Sequence, residues 1–147
     1  MRQKTLYYYR MHHDQLDRMC AEHPQILLLD LHSFSDEIVP DDRLCQDRRT
    51  PDICLGVDEQ FTPERLASAA ESILWANGFT TARNYPYSGS LVPGTVLSRR
   101  IHCDCASIML EWNRRVYYDE NDTPDADRIH HIQRIIRQIA DACVTLN

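Results

Sequence analysis

Two stretches of this 147-residue chain carry side chains able to do chemistry. The first is Asp30-Leu31-His32-Ser33, which follows the short apolar run beginning at Gln25. On the end of a central strand, Asp30 and His32 stand two positions apart and project to the same side. A neutral imidazole in that place is a zinc-ligand type, and a neighbouring carboxylate can fix its orientation. The plain alternative is a histidine that caps a turn or bonds Ser33. The second stretch is Ser107 to Trp112, where Met109, Glu111 and Asn113 alternate with Ile108, Leu110 and Trp112. Alternation sets Glu111 on one face of a strand that otherwise reads as buried. A buried carboxylate is costly unless it is paired or used. An ion pair with Arg83, Arg114 or Arg115 is the structural explanation, and a general base of raised pKa that activates water is the functional one.

The other reactive residues are less specific. Six cysteines (Cys20, Cys45, Cys54, Cys103, Cys105, Cys143) are an even number. With no secretory leader and several of them inside apolar patterns, they are expected to be reduced thiols. His102-Cys103-Asp104-Cys105 offers soft ligands, but its one-residue cysteine spacing is not that of zinc sites, and a thiol-based metal or redox sensor is the reading it supports. His13 falls on an apolar helical stripe and is expected to be structural. Tyr7, Tyr8 and Tyr9 are adjacent and cannot share one helical face.

The elements that must position these residues follow from periodicity. Leu6, Tyr9, His13, Leu16 and Cys20 make a stripe that predicts a helix from about Thr5 to Ala21. Pro24 ends it, and Gln25 to Asp30 reads as a buried strand. Ser35 to Pro51 is an aperiodic loop, and Ile53-Cys54-Leu55 a second short strand. Thr62-Pro63-Glu64 starts a helix with Thr62 as its cap, Leu66, Ala69, Ala70, Ile73 and Leu74 continue it, and Asn77-Gly78 stops it. Phe79 to Asn84 and Ser107 to Trp112 are the remaining strands. Thr123-Pro124-Asp125 opens a last helix with Ile129, Ile132, Ile136, Ile139 and Cys143 inward. Strands alternating with helices indicate one α/β layered domain over residues 1–147. The net charge of −6 argues against a nucleic-acid partner. The longest apolar stretch, Ile26 to Leu29, is far short of the roughly 20 residues that cross a bilayer, so no membrane span is expected and a cytoplasmic location is.

Five blocks, taken in order, resemble the N-formylglutamate amidohydrolase family. They are Tyr8 to Leu16, with His13 and Leu16 in a Tyr-His-x-x-Leu place; Asp30-Leu31-His32-Ser33-Phe34; Pro51-Asp52-Ile53-Cys54-Leu55-Gly56; Asn84-Tyr85-Pro86-Tyr87-Ser88-Gly89; and Leu110-Glu111-Trp112-Asn113-Arg114 through Tyr117 and Asp119. The resemblance implies a three-layer α/β/α fold with a central mixed, mainly parallel sheet, like that of zinc carboxypeptidases. It also implies zinc-dependent hydrolysis of the amide of a small N-acyl amino acid, as in histidine degradation. His32 would be a zinc ligand, Asp30 would orient it, and Glu111 would take the proton from water. Ser33, Asn84 and Arg114 would stand behind these or near substrate, Arg114 holding either the substrate carboxylate or Glu111. The family's Pro-His-x-Gly block, a further ligand source, and its Asp-x-Asn-Arg block have no counterpart before Tyr7. The N-terminal part of the pattern is therefore expected to be missing, the zinc site incomplete, and hydrolysis by this chain alone slight. The competing expectation is a non-catalytic binding or assembly module, a possible homo-oligomer in which an exposed sheet edge pairs with a second copy.

Overall fold

The computed structural model describes residues 2–35 and 50–144, so most of the loop expected from Ser35 to Pro51 lies outside the described residues. In chain order the elements are α1 (Arg2–Glu22), β1 (Gln25–Phe34), β2 (Ile53–Gly56), α2 (Glu64–Ala76), β3 (Thr81–Arg83), α3 (Gly94–Leu97), β4 (Asp104–Asn113), a 3-10 turn (Arg114–Val116) and α4 (Ala126–Val144). The four strands form one sheet in the order β1-β4-β2-β3. β1 runs parallel to β4 and β2 parallel to β3, while β2 and β4 are antiparallel. The sheet is thus mixed and mostly parallel, as the family resemblance implies.

Period-two alternation assigns the two faces of the sheet. Ile108, Leu110 and Trp112 of β4 and Ile53 and Leu55 of β2 pack against Leu66, Ala70 and Leu74 of α2 and Ile132, Ile135 and Ile139 of α4. These helix positions recur at three and four residues, so each helix turns one apolar stripe to the sheet. On the opposite face, Cys20 of α1, Val96 of α3 and Cys105 of β4 gather with Ile26 and Leu28. Among the described residues, no helix is long and apolar enough to cross a membrane.

Several boundaries depart from the sequence reading for local reasons. β1 continues past Asp30 to Phe34 because β4 offers a matching ladder from Gln25↔Asp104 to Phe34↔Asn113, and backbone pairing carries polar positions that hydropathy does not mark. β1 is also an edge strand of the described sheet, not the central strand expected for His32. Thr62 does not cap α2: its hydroxyl donates to the Ser107 carbonyl at 2.6 Å, and Pro63 occupies the cap position. β3 begins only at Thr81, since Thr80 hydrogen-bonds Asp52 and the Phe79 ring stands edge-on to Trp112, centroids 5.7 Å apart. In α1 the expected core stripe is exposed at its N-terminal end, with Leu6 and Tyr9 at the surface, His13 and Leu16 half-buried and Cys20 buried. Among the described residues, the last turns of that helix meet the rest of the fold through Cys20 and a hydrogen bond from Thr95 to Asp17. Gly78 takes the left-handed conformation (φ 84°) that ends α2 as expected.

Candidate active site

The parallel ladder between β1 and β4 places His32 opposite Glu111. Asp30, two residues earlier on β1, shares their face, which is the face turned away from α2 and α4. His32 Nε2 lies 2.8 Å from Asp30 Oδ1. That bond occupies Nε2 and leaves Nδ1 as the ring nitrogen open to a proton or a metal. The second Asp30 oxygen accepts from the Leu91 backbone N–H at 3.2 Å. Leu91 is itself anchored, because Ser107 Oγ donates to its carbonyl at 2.7 Å. Asp30 is therefore fixed from two sides and in turn fixes the imidazole.

Glu111 is only 7% exposed, whereas the His32 side chain is 51% exposed. The site is thus a buried carboxylate beside a solvent-open imidazole. Of the arginines that would make Glu111 a structural ion pair, Arg83 and Arg115 are engaged elsewhere. Arg83 grips Glu71 at 2.6 and 2.9 Å and Glu64 at 2.8 and 2.9 Å, and Arg115 holds Asp52 at 3.1 Å. Arg114 is exposed on the 3-10 turn after β4. Burial pushes the Glu111 carboxyl above the usual glutamate range; the Asp30 charge adds to this and His32 opposes it. A carboxylate tuned upward in this way is a better proton acceptor near neutral pH.

On its other side Glu111 is paired with Cys54 of β2. The Cys54 thiol donates to the Tyr87 carbonyl at 3.1 Å, and the Tyr87 ring stands edge-on to Phe34 of β1, centroids 5.7 Å apart. Tyr87 thereby ties β2 to β1 across the strand that carries Glu111. The loop holding Tyr87 is organised by Asn84, whose φ of 53° turns the chain and whose Oδ1 accepts from Val57 N at 2.8 Å and Gly89 N at 3.2 Å.

Asp30, His32 and Glu111 are thus brought together. Asn84 is a loop organiser with its amide oxygen already occupied. Ser33 is exposed and alternates to the opposite face, in register with Trp112, so it does not meet Glu111. Sequence reading gave no site role to Cys54 or to the Leu91 N–H. The Leu91 contact spans 61 positions and uses a backbone group, so no side-chain pattern announces it. Cys54 has a signal, since its apolar strand must alternate against β4.

Zinc is the group these residues would be asked to hold. Among the described residues, no group of three or more His, Cys, Asp and Glu side chains converges as a metal site. Catalytic zinc takes three protein ligands and an open position. His32 supplies one nitrogen and Asp30 is spent behind it, so the described residues do not by themselves fit the ion.

Comparison with known proteins assigns the chain to a family. The family model described as N-formylglutamate amidohydrolase matches residues 2–118. No curated protein matches. Among solved structures, the N-formylglutamate amidohydrolase from Ralstonia eutropha JMP134 is similar at 23% identity and a TM-score of 0.56, over 83% of this chain and 43% of that one. A bacteriophage poly-gamma-glutamate hydrolase aligns at 14% identity and a TM-score of 0.45, over 87% of this chain and 56% of that one. The chain spans less than half the length of the first of these relatives.

Proposed function

The chain belongs to the N-formylglutamate amidohydrolase family, and on that premise we propose that Asp30, His32 and Glu111 form part of a site for hydrolysing the amide of a small N-acyl amino acid. The observation that carries this reading is Glu111, buried, in register with His32 and with no ion-pair partner among the described residues. In the proposed reaction Glu111 takes a proton from water as the oxygen adds to the acyl carbonyl, then returns it to the departing amine nitrogen. Asp30 holds His32 in one orientation beside the reacting carbonyl. Arg114, exposed one residue beyond β4, is the cation proposed to receive the substrate carboxylate. Zinc would need ligands in addition to His32, and none of these steps passes through it. Helices on both faces of a mixed sheet support an architecture like that of zinc carboxypeptidases.

Formate release from N-formylglutamate, followed with and without added zinc, tests the proposal. The chain alone is expected to turn over well below the roughly 10 per second of an ordinary enzyme. Whatever zinc-dependent turnover it shows should be lost in Glu111→Gln. Formate release that Glu111→Gln leaves unchanged would assign the chemistry to other residues.

A second reading, an assembly module, is favoured by the position of β1 at the edge of the sheet among the described residues. β1 is a ten-residue edge strand with Leu31 half exposed, which is a template for pairing with a second copy. Light scattering should then show a dimer that Leu31→Lys converts to monomer. A monomeric parent chain at micromolar concentration would remove this reading.

A further inference from the structure

Away from Glu111, three thiols collect where the end of α1 meets the start of β4. Cys20 is 1% exposed and Cys105 7%, and both pack with partly buried Cys103 among Ile26, Leu28 and Phe61. Cys20 and Cys103 pack in one cluster, close enough for each to shift the other's titration, so these two thiols are neighbours in space. Cys103 also lines an open surface pocket with Arg99, His102 and Asp104. One sulfur of the pair is thus reached from solvent and the other lies behind it. No third ligand converges with them to hold a metal among the described residues. We propose that Cys20 and Cys103 are a redox pair that closes to a disulfide and ties α1 to the sheet.

The oxidant class is a hydroperoxide. Its terminal oxygen is transferred to the Cys103 sulfur, giving a sulfenic acid and releasing water or an alcohol. The Cys20 sulfur then attacks the Cys103 sulfur, and hydroxide departs and takes up the Cys20 proton as a second water. Two thiols lose two electrons and two protons, and the peroxide bond is reduced. The tie matters because, among the described residues, α1 meets the sheet side of the fold through Cys20 packing and the Thr95–Asp17 hydrogen bond. Burial, with Cys103 and Asp17 beside it, holds the Cys20 thiol at about 11, and burial with Asp104 nearby also raises Cys103. Both are therefore protonated at neutral pH, so the pair closes slowly there and faster in alkali.

The test treats the folded chain with hydrogen peroxide at pH 8.5, on the order of the free-thiol pKa, then alkylates it and maps peptides. The expected result is a Cys20–Cys103 disulfide, a melting temperature raised by about 10 °C, and reversal by dithiothreitol. Cys105→Ser should keep the cross-link and Cys103→Ser should abolish it. A Cys103–Cys105 cross-link, or Cys103 driven to sulfinic acid while Cys20 stays alkylatable, would overturn the proposal. So would a chain that cross-links only after denaturation.

Discussion

Glu111→Gln is expected to raise the melting temperature at neutral pH by about 3 °C, the shift that roughly 1 kcal/mol gives in a chain of this size, while cutting any hydrolysis about 10²- to 10⁴-fold. The two effects have one origin. Burial holds the Glu111 carboxyl above its usual range, so the folded chain binds the proton more tightly than the unfolded one. Where the folded state holds more protons, stability falls as pH rises. The fold is therefore most stable with respect to this group below the ordinary glutamate pKa of about 4.3, and it loses stability as pH climbs through the raised folded value. Glutamine keeps the shape and has no charge to bury, so the variant's advantage should be absent in acid and present at pH 7. Nor can its neutral amide accept the proton from water. If an arginine paired with Glu111 instead, the same substitution would strand a cation and destabilise the chain. Thermal melts of both proteins at acid and neutral pH separate the two cases.

Gly56→Ala is expected to cost the fold about 3 kcal/mol or more, at the upper end of what overpacking produces. A β-carbon at Gly56 would overlap the Gly89 carbonyl oxygen and come within 2.5 Å of Met109 Cε and 2.9 Å of Met109 Cβ. The Gly89 oxygen is backbone and cannot swing aside. Gly89 is held by Asn84, and its loop carries Tyr87, whose carbonyl accepts a hydrogen bond from the Cys54 thiol next to Glu111. Moving the loop should loosen the side of the site formed by β2. Gly94→Ala is the control: a β-carbon there meets nothing within 4 Å, so the change should be nearly neutral. Urea denaturation midpoints of the two variants measure the contrast.

How far the sequence discloses this site depends on which interactions are local. Alternation in Ile108 to Asn113 separates Glu111 from the apolar face, and the two-residue spacing of Asp30 and His32 sets them side by side, because both rest on strand geometry alone. Facing His32 to Glu111 needs the register of two strands nearly 80 positions apart, which no local pattern states. The five family blocks are what connect them. The exposure of α1 was not legible either, since a stripe such as Leu6, Tyr9 and His13 shows that a helix can pack and not what lies opposite it. Thr62 shows the same limit: a good cap by type, it is taken by a carbonyl on β4, 45 positions away. The packing of Cys20 with Cys103 was likewise hidden, whereas Cys103 and Cys105, two positions apart, drew attention by proximity in sequence.

The most direct test of Glu111 as a working base is its own titration, followed through the carboxyl carbon by NMR in the folded chain. The expected midpoint lies above the ordinary glutamate value of about 4.3, and it should move higher still in His32→Ala, because the imidazole is the group that holds it down. A midpoint at or below the ordinary value, unmoved by His32→Ala, would mean that a counter-ion keeps Glu111 charged and that it does not share a site with His32.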